Sequence, residues 1–137
     1  MSAIDPDKLK MFSFLLFTKL EGAVTSGMVH LGDQLGLYSA LAQSETPMTT
    51  SQLAHATQLN ERWVREWAYN QASARLISVN NTPSKIPAID DDQFFLSPEQ
   101  IAVLADSHSP AFGMGMFHRL PQTMAALNKM PESFRTG

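Results

Sequence analysis

A chain of 137 residues, 44% apolar and 17% charged, has the composition of one globular domain rather than of a disordered segment. At 15.1 kDa it should fold to a surface of about 7,100 Å², burying roughly two thirds of what the unfolded chain exposes. Zero cysteines exclude a disulfide framework, thiolate metal sites and a cysteine nucleophile, and a net charge of −3 argues against gross attraction to nucleic acid or anionic lipid.

The apolar run Phe14-Leu15-Leu16-Phe17 falls far short of the roughly 20 residues that cross a bilayer. Lys8 and Lys10 ahead of it mimic a signal peptide, but Asp5 and Asp7 share that stretch and no small-x-small cleavage site follows. A soluble, unprocessed, cytoplasmic chain without a membrane partner is expected. Asp5-Pro6 reads as an N-cap with proline at the first helical position. Leu9, Phe12, Leu16, Leu20, Ala23, then Val24, Met28, Leu31 and Leu35 keep helical spacing, and Gly36 is the expected left-handed stop. Gly22, Gly27 and Gly32 each cost about 1 kcal/mol inside a helix, so the span is predicted to be two helices or one bent one, with a break, a kink or a close crossing. Met11, Phe14, Leu15 and Phe17 lie off the Leu9-Phe12-Leu16 stripe. A helix apolar on both sides needs cover on both, and these four residues are candidates for a dimer interface.

A short helical piece is expected from Leu37 to Ala42, and a loop from Ser44 to Met48. Thr49 or Thr50 caps a helix running to Thr57 with Leu53 and Ala54 inward. Gln58-Leu59 forms the connection, and Asn60 caps a helix from Glu61 to about Ala74. Val64, Trp67 and Gln71 or Ala72 mark the inner face of that helix, whereas Trp63 and Tyr69 are placed on its outer face. Two short helices joined this way form a helix-turn-helix. Leu76 to Val79 and Phe94 to Leu96 are the predicted strands of a small wing. Between them the stretch from Asn80 to Gln93 is long and carries Pro83, Pro87 and Asp90-Asp91-Asp92, so a mobile tip and solvated acids are expected. Ser97-Pro98-Glu99-Gln100 opens another helix, and Ser109-Pro110 and Leu120-Pro121 are read as the starts of two more. The fold class is mainly α: a winged helix-turn-helix with a hairpin wing and extra helices at both ends.

These stretches resemble the N-terminal winged-helix domain of bacterial class I S-adenosylmethionine-dependent methyltransferases. The resemblance runs through Leu20-Glu21-Gly22-Ala23, Leu35-Gly36-Leu37-Tyr38, Leu53-Ala54 and Leu59-Asn60-Glu61-Arg62-Trp63-Val64-Arg65-Glu66-Trp67. It continues through Phe95-Leu96-Ser97-Pro98-Glu99, Asp106, Ser109-Pro110 and Phe134-Arg135-Thr136-Gly137, covering nearly the whole chain. Three departures stand out: Gln58 and Arg75, where the family commonly has glycine, and a wing from Asn80 to Gln93 that is longer than usual. The resemblance implies one winged-helix domain over residues 1–137, with dimerisation helices in 1–43, helix-turn-helix and wing in 48–97, and trailing helices in 98–137 that lead to an absent Rossmann-like catalytic domain. It implies a homodimer that covers the substrate side of that domain. S-adenosylmethionine would belong to the catalytic domain, so this chain itself is assigned no cofactor, metal or catalytic residue.

The remaining chemistry is thin. Gly113-Met114-Gly115 follows no predicted strand and has His118 where a third glycine is needed, so a dinucleotide loop is not expected. His30, His55, His108 and His118 lack the spacing of a helical metal pair, and His108 and His118 are assigned surface or capping roles. The rival function is a DNA-binding transcriptional regulator, which shares the architecture. Its contacts would be Arg62, Arg65 and Arg75. These three arginines stand against Glu61 and Glu66, and the aspartate-rich wing would repel the phosphates it should straddle.

Overall fold

Asp5 caps the first helix with its carboxylate, which accepts from the Asp7 and Lys8 amides at 3.0 and 3.2 Å, and Pro6 takes the first helical position. The computed structural model describes residues 4–81 and 92–137. Helix α1 (Pro6–Gln34) is uninterrupted for 29 residues, about 43 Å at 1.5 Å per residue. It is one helix rather than two. A Cβ at Gly22 or Gly27 would meet nothing within 4 Å, so neither marks a crossing. Gly32 does: a Cβ there would lie 2.7 Å from Trp67 Cζ2 and 2.8 Å from Tyr38 Cε2.

Gly36, at φ 71°, turns the chain into α2 (Leu37–Gln43). Thr49 and Gln52 form a capping box at the start of α3 (Thr50–Thr57), and Asn60 caps α4 (Glu61–Ser73) through the Arg62 amide. The two departures from glycine are real left-handed positions, Gln58 at φ 57° and Arg75 at φ 61°. Each carries a side chain where that conformation costs roughly 1–2 kcal/mol. The turn hydrogen bonds offset part of this, since Leu59 N–H donates to the Ala54 carbonyl and Leu76 N–H to the Gln71 carbonyl, both at 2.9 Å.

The wing is the antiparallel pair β1 (Ser78–Asn80) and β2 (Gln93–Phe95), with Val79 opposite Phe94. The first strand starts two residues later than expected, because Leu76 and Ile77 turn back to the Gln71 carbonyl, and the second is shifted back by one residue, Leu96 leaving the ladder to enter the core. Met48, expected in a loop, exchanges two hydrogen bonds with Phe94 at 2.9 and 2.7 Å and so adds a third edge to the wing. The expected mobile tip, with Pro83, Pro87, Asp90 and Asp91, lies outside the described residues. Asp92 is not a solvated acid: its carboxylate accepts from the Tyr69 hydroxyl at 2.6 Å. Tyr69 also packs edge-on against Phe94, which takes it off the outer face of α4.

Ser97 and Gln100 form the second capping box, opening α5 (Pro98–Leu104). Ser109-Pro110 starts no helix. Asp106 Oδ1 accepts from the His108 amide and Ser109 Oγ from the Ala111 amide, so local side chains hold the backbone in turns instead. A 3-10 turn (Met114–Met116) precedes α6 (Leu120–Ala126) and α7 (Met130–Thr136). The fold is therefore mainly helical, with seven helices and one hairpin among the described residues.

The core lies where α2, α3, α4, the wing and the C-terminal end of α1 meet, around Tyr38, Leu53, Trp67, Phe94 and Met114. Trp67 fills the notch at Gly32 and donates from Nε1 to the Met28 carbonyl at 2.9 Å, while Tyr38 meets it edge-on at 5.2 Å. The Tyr38 hydroxyl donates to Gln71 Oε1, so both buried polar groups are satisfied.

Candidate interaction surfaces

The N-terminal half of α1 has no place in this core. Met11, Phe14, Leu15 and Phe17, the expected partner-seeking face, are 64, 71, 47 and 66% exposed. The Leu9-Phe12-Leu16 stripe is equally bare, with Leu9, Phe12, Leu16 and Leu20 between 56 and 69% exposed. The helical spacing holds, and both apolar faces are left bare. Within α1 only Val29 and Gly32 are buried, where Trp67 of α4 and Tyr38 of α2 close on the helix.

Helices α6 and α7 bury no side chain, and Leu127, Met130 and Phe134 are exposed. These surfaces contribute to an accessible area of 10,259 Å², against about 7,100 Å² for a compact chain of this mass. The trailing segment is nevertheless anchored. His118 Nε2 lies 2.8 Å from Asp33 Oδ2, and His30 Nδ1 lies 3.0 Å from the Phe117 carbonyl, so two imidazoles clasp it to the end of α1. His118 thus has a partner 85 positions away, which no local spacing signals. His108 is an exposed residue beside Asp106, as expected.

Between the last turns of α1 and the face of α4 runs an apolar groove of about 700 Å³. Met28, Leu31 and Leu35 form one wall, and Leu59 and Trp63 belong to the other; Arg62 and Glu66 are its charged members. Sequence reasoning missed it. The signal present was the Leu31–Leu35 step on α1 together with an apolar Trp63 off the buried face of α4.

Of the arginines considered for DNA, Arg62 lies over the Trp63 ring at 5.4 Å, and Arg65 pairs with Glu61 at 3.3 Å. Arg75 sits in the left-handed turn beyond α4. Gly113 opens the 3-10 turn, donating its N–H to the Val103 carbonyl at 2.9 Å, and Met114 is buried. No strand runs into this turn and its first amide is already engaged, so the turn lacks the strand–loop–helix form of a dinucleotide loop. Among the described residues no group of three or more His, Asp or Glu converges as a metal site. No helix among them is long and apolar enough to cross a membrane.

Two titratable groups are perturbed. Burial, and then the Asp33 carboxylate, push the Tyr38 phenol well above its usual range. The Ser97 hydroxyl, donating at 2.8 Å, holds the exposed Glu99 carboxyl below its usual range.

A model of the Rv2258c-like winged HTH domain matches residues 23–105. Among solved structures, human N-acetylserotonin methyltransferase in complex with SAM superposes with a TM-score of 0.75 at 16% identity, over 99% of this chain and 36% of that one. The mitomycin 7-O-methyltransferase MmcR superposes with a TM-score of 0.73 at 22% identity, over 96% of this chain and 36% of that one. At such identities the likeness is one of fold, and the chain spans about a third of the length of each. No curated protein matches the sequence significantly.

Proposed function

Because the chain belongs to the Rv2258c-like winged helix-turn-helix domain family, we propose that it is the dimerising, substrate-covering module of an S-adenosylmethionine-dependent methyltransferase. It works with a Rossmann-like catalytic domain that supplies the cofactor site and the chemistry. The observation that carries this reading is the superposition of nearly the whole chain on 36% of each of two methyltransferases. The bare apolar half of α1 supports the dimerising part, since monomers seldom expose a patch of that extent.

Light scattering of the 137-residue chain at tens of micromolar should give twice 15.1 kDa, and titration with S-adenosylmethionine should give no binding heat. A strictly monomeric mass overturns the dimerising role. A DNA-binding regulator is less well supported, because Arg62 and Arg65 are engaged with Trp63 and Glu61 on a helix bearing charges of both signs. Salt-sensitive binding to duplex DNA that weakens in Arg62→Ala or Arg65→Ala would favour that function instead.

A further inference from the structure

We propose that the groove between the end of α1 and α4 is a binding site for a single-chain zwitterionic amphiphile, its hydrocarbon chain laid between the two walls and its head group between Arg62 and Glu66. The site goes beyond the dimerising role and does not depend on it.

The lining selects the chain. At about 700 Å³ the groove lies within the roughly 300–1,000 Å³ usual for small-molecule sites. Met28, Leu31, Leu35 and Leu59 offer no hydrogen bond from their side chains. Two uncharged polar groups in the lining are already engaged: Trp67 Nε1 donates to the Met28 carbonyl at 2.9 Å, and Asn60 Oδ1 accepts from the Arg62 amide at 3.1 Å. A sugar or nucleoside pressed against these walls would leave polar groups unpaired, a cost that a hydrocarbon chain escapes. Trp63, 66% exposed, adds apolar ring surface for the chain to cover.

The charged residues select the head. Arg62 and Glu66 are both exposed and stand one turn apart on α4, about 6 Å along its axis. Arginine precedes glutamate, the poorer order for a pair four residues apart. Among the described residues neither side chain has an ion-pair partner, since the neighbouring Glu61 is taken by Arg65 at 3.3 Å. The Arg62 guanidinium lies over the Trp63 ring at 5.4 Å, a contact that leaves N–H donors for a bidentate acceptor. An anionic head would gain Arg62 but meet Glu66 as a like charge, and a cationic head would meet the reverse. A phosphocholine-type head satisfies both, with its phosphate toward Arg62 and its trimethylammonium toward the Glu66 carboxylate.

The test titrates the 137-residue chain with n-decylphosphocholine below its micelle concentration. Tryptophan emission should shift saturably to the blue, and Trp63→Phe should lose that shift; a shift that survives in this variant comes from Trp67 and overturns the site. In calorimetry, affinity should rise about fourfold per methylene from octyl to decyl. Arg62→Gln and Glu66→Gln should each weaken decylphosphocholine about two- to fivefold and leave decyl maltoside unchanged, while Arg62→Gln should tighten decyltrimethylammonium. Both residues are exposed, and an unchanged melting midpoint confirms the fold of each variant. Equal affinity for the three head groups overturns the head assignment. A blue shift with phosphatidylcholine vesicles and none with decylphosphocholine assigns the groove to a membrane surface and overturns the soluble ligand. No response up to the micelle concentration, as when a second copy fills the groove, overturns the site, whereas the dimerising role is judged by mass alone.

Discussion

The two halves of α1 meet opposite fates, and the more apolar one, with eight apolar residues among Pro6–Leu20 against five among residues 21–34, is the one left bare. In the C-terminal half Gly32 lets the Trp67 ring approach, Trp67 ties itself to the Met28 carbonyl, and Val29 is sealed. In the N-terminal half every described large apolar side chain is exposed. The contrast shows that hydrophobic periodicity reports a need for burial, while the surface that satisfies it is chosen by what the rest of the chain can reach.

The sharpest way to break the contrast is at the filled notch. Trp67→Ala should cost about 3–5 kcal/mol in chemical denaturation, since it empties the core and strips the Met28 carbonyl of its donor. Gly32→Ala gains about 1 kcal/mol of helix propensity but drives a methyl to 2.7 Å from Trp67 Cζ2; overpacking of about 1–3 kcal/mol should win and lower the melting point. Gly22→Ala, with open space around it, should show the propensity gain alone and raise the melting point.

Tyr38→Phe should cost about 1–3 kcal/mol by leaving the buried Gln71 carbonyl without its donor. It should also change the pH profile. The phenol is harder to ionise in the fold than in the unfolded chain, so between those two pKa values the native state binds more protons and stability falls as pH rises above about 10. Denaturation midpoints at successive alkaline pH values should show that loss in the parent chain and less of it in Tyr38→Phe. At the bare end Phe14→Ser should shift monomer stability within about 0.5 kcal/mol, yet weaken self-association in sedimentation at the same concentrations.

Local signals carried most of the fold. Both threonine and serine capping boxes, the Asp5-Pro6 start and Gly36 are written in residues within four positions of one another. The features that escaped have remote partners: Met48 with Phe94, Tyr69 with Asp92, His118 with Asp33. Ser109-Pro110 misled because serine before proline serves a turn as well as a helix start, and Asp106 at hand tips the balance to the turn. The surface site was half legible. Met11, Phe14, Leu15 and Phe17 announced themselves as surplus to a core, but the groove required α1 and α4 to be set side by side.

The chain has two tryptophans, four residues apart on one helix and in opposite settings. Trp67 is sealed at Gly32, while Trp63 stands in the open groove. The molecule therefore carries a built-in pair of optical gauges. The emission of Trp67 should redden only when the core opens, whereas that of Trp63 should shift to the blue whenever something apolar settles beside it. A Trp63→Phe variant would read the first event alone, and the difference from the parent spectrum would read the second, with no external dye.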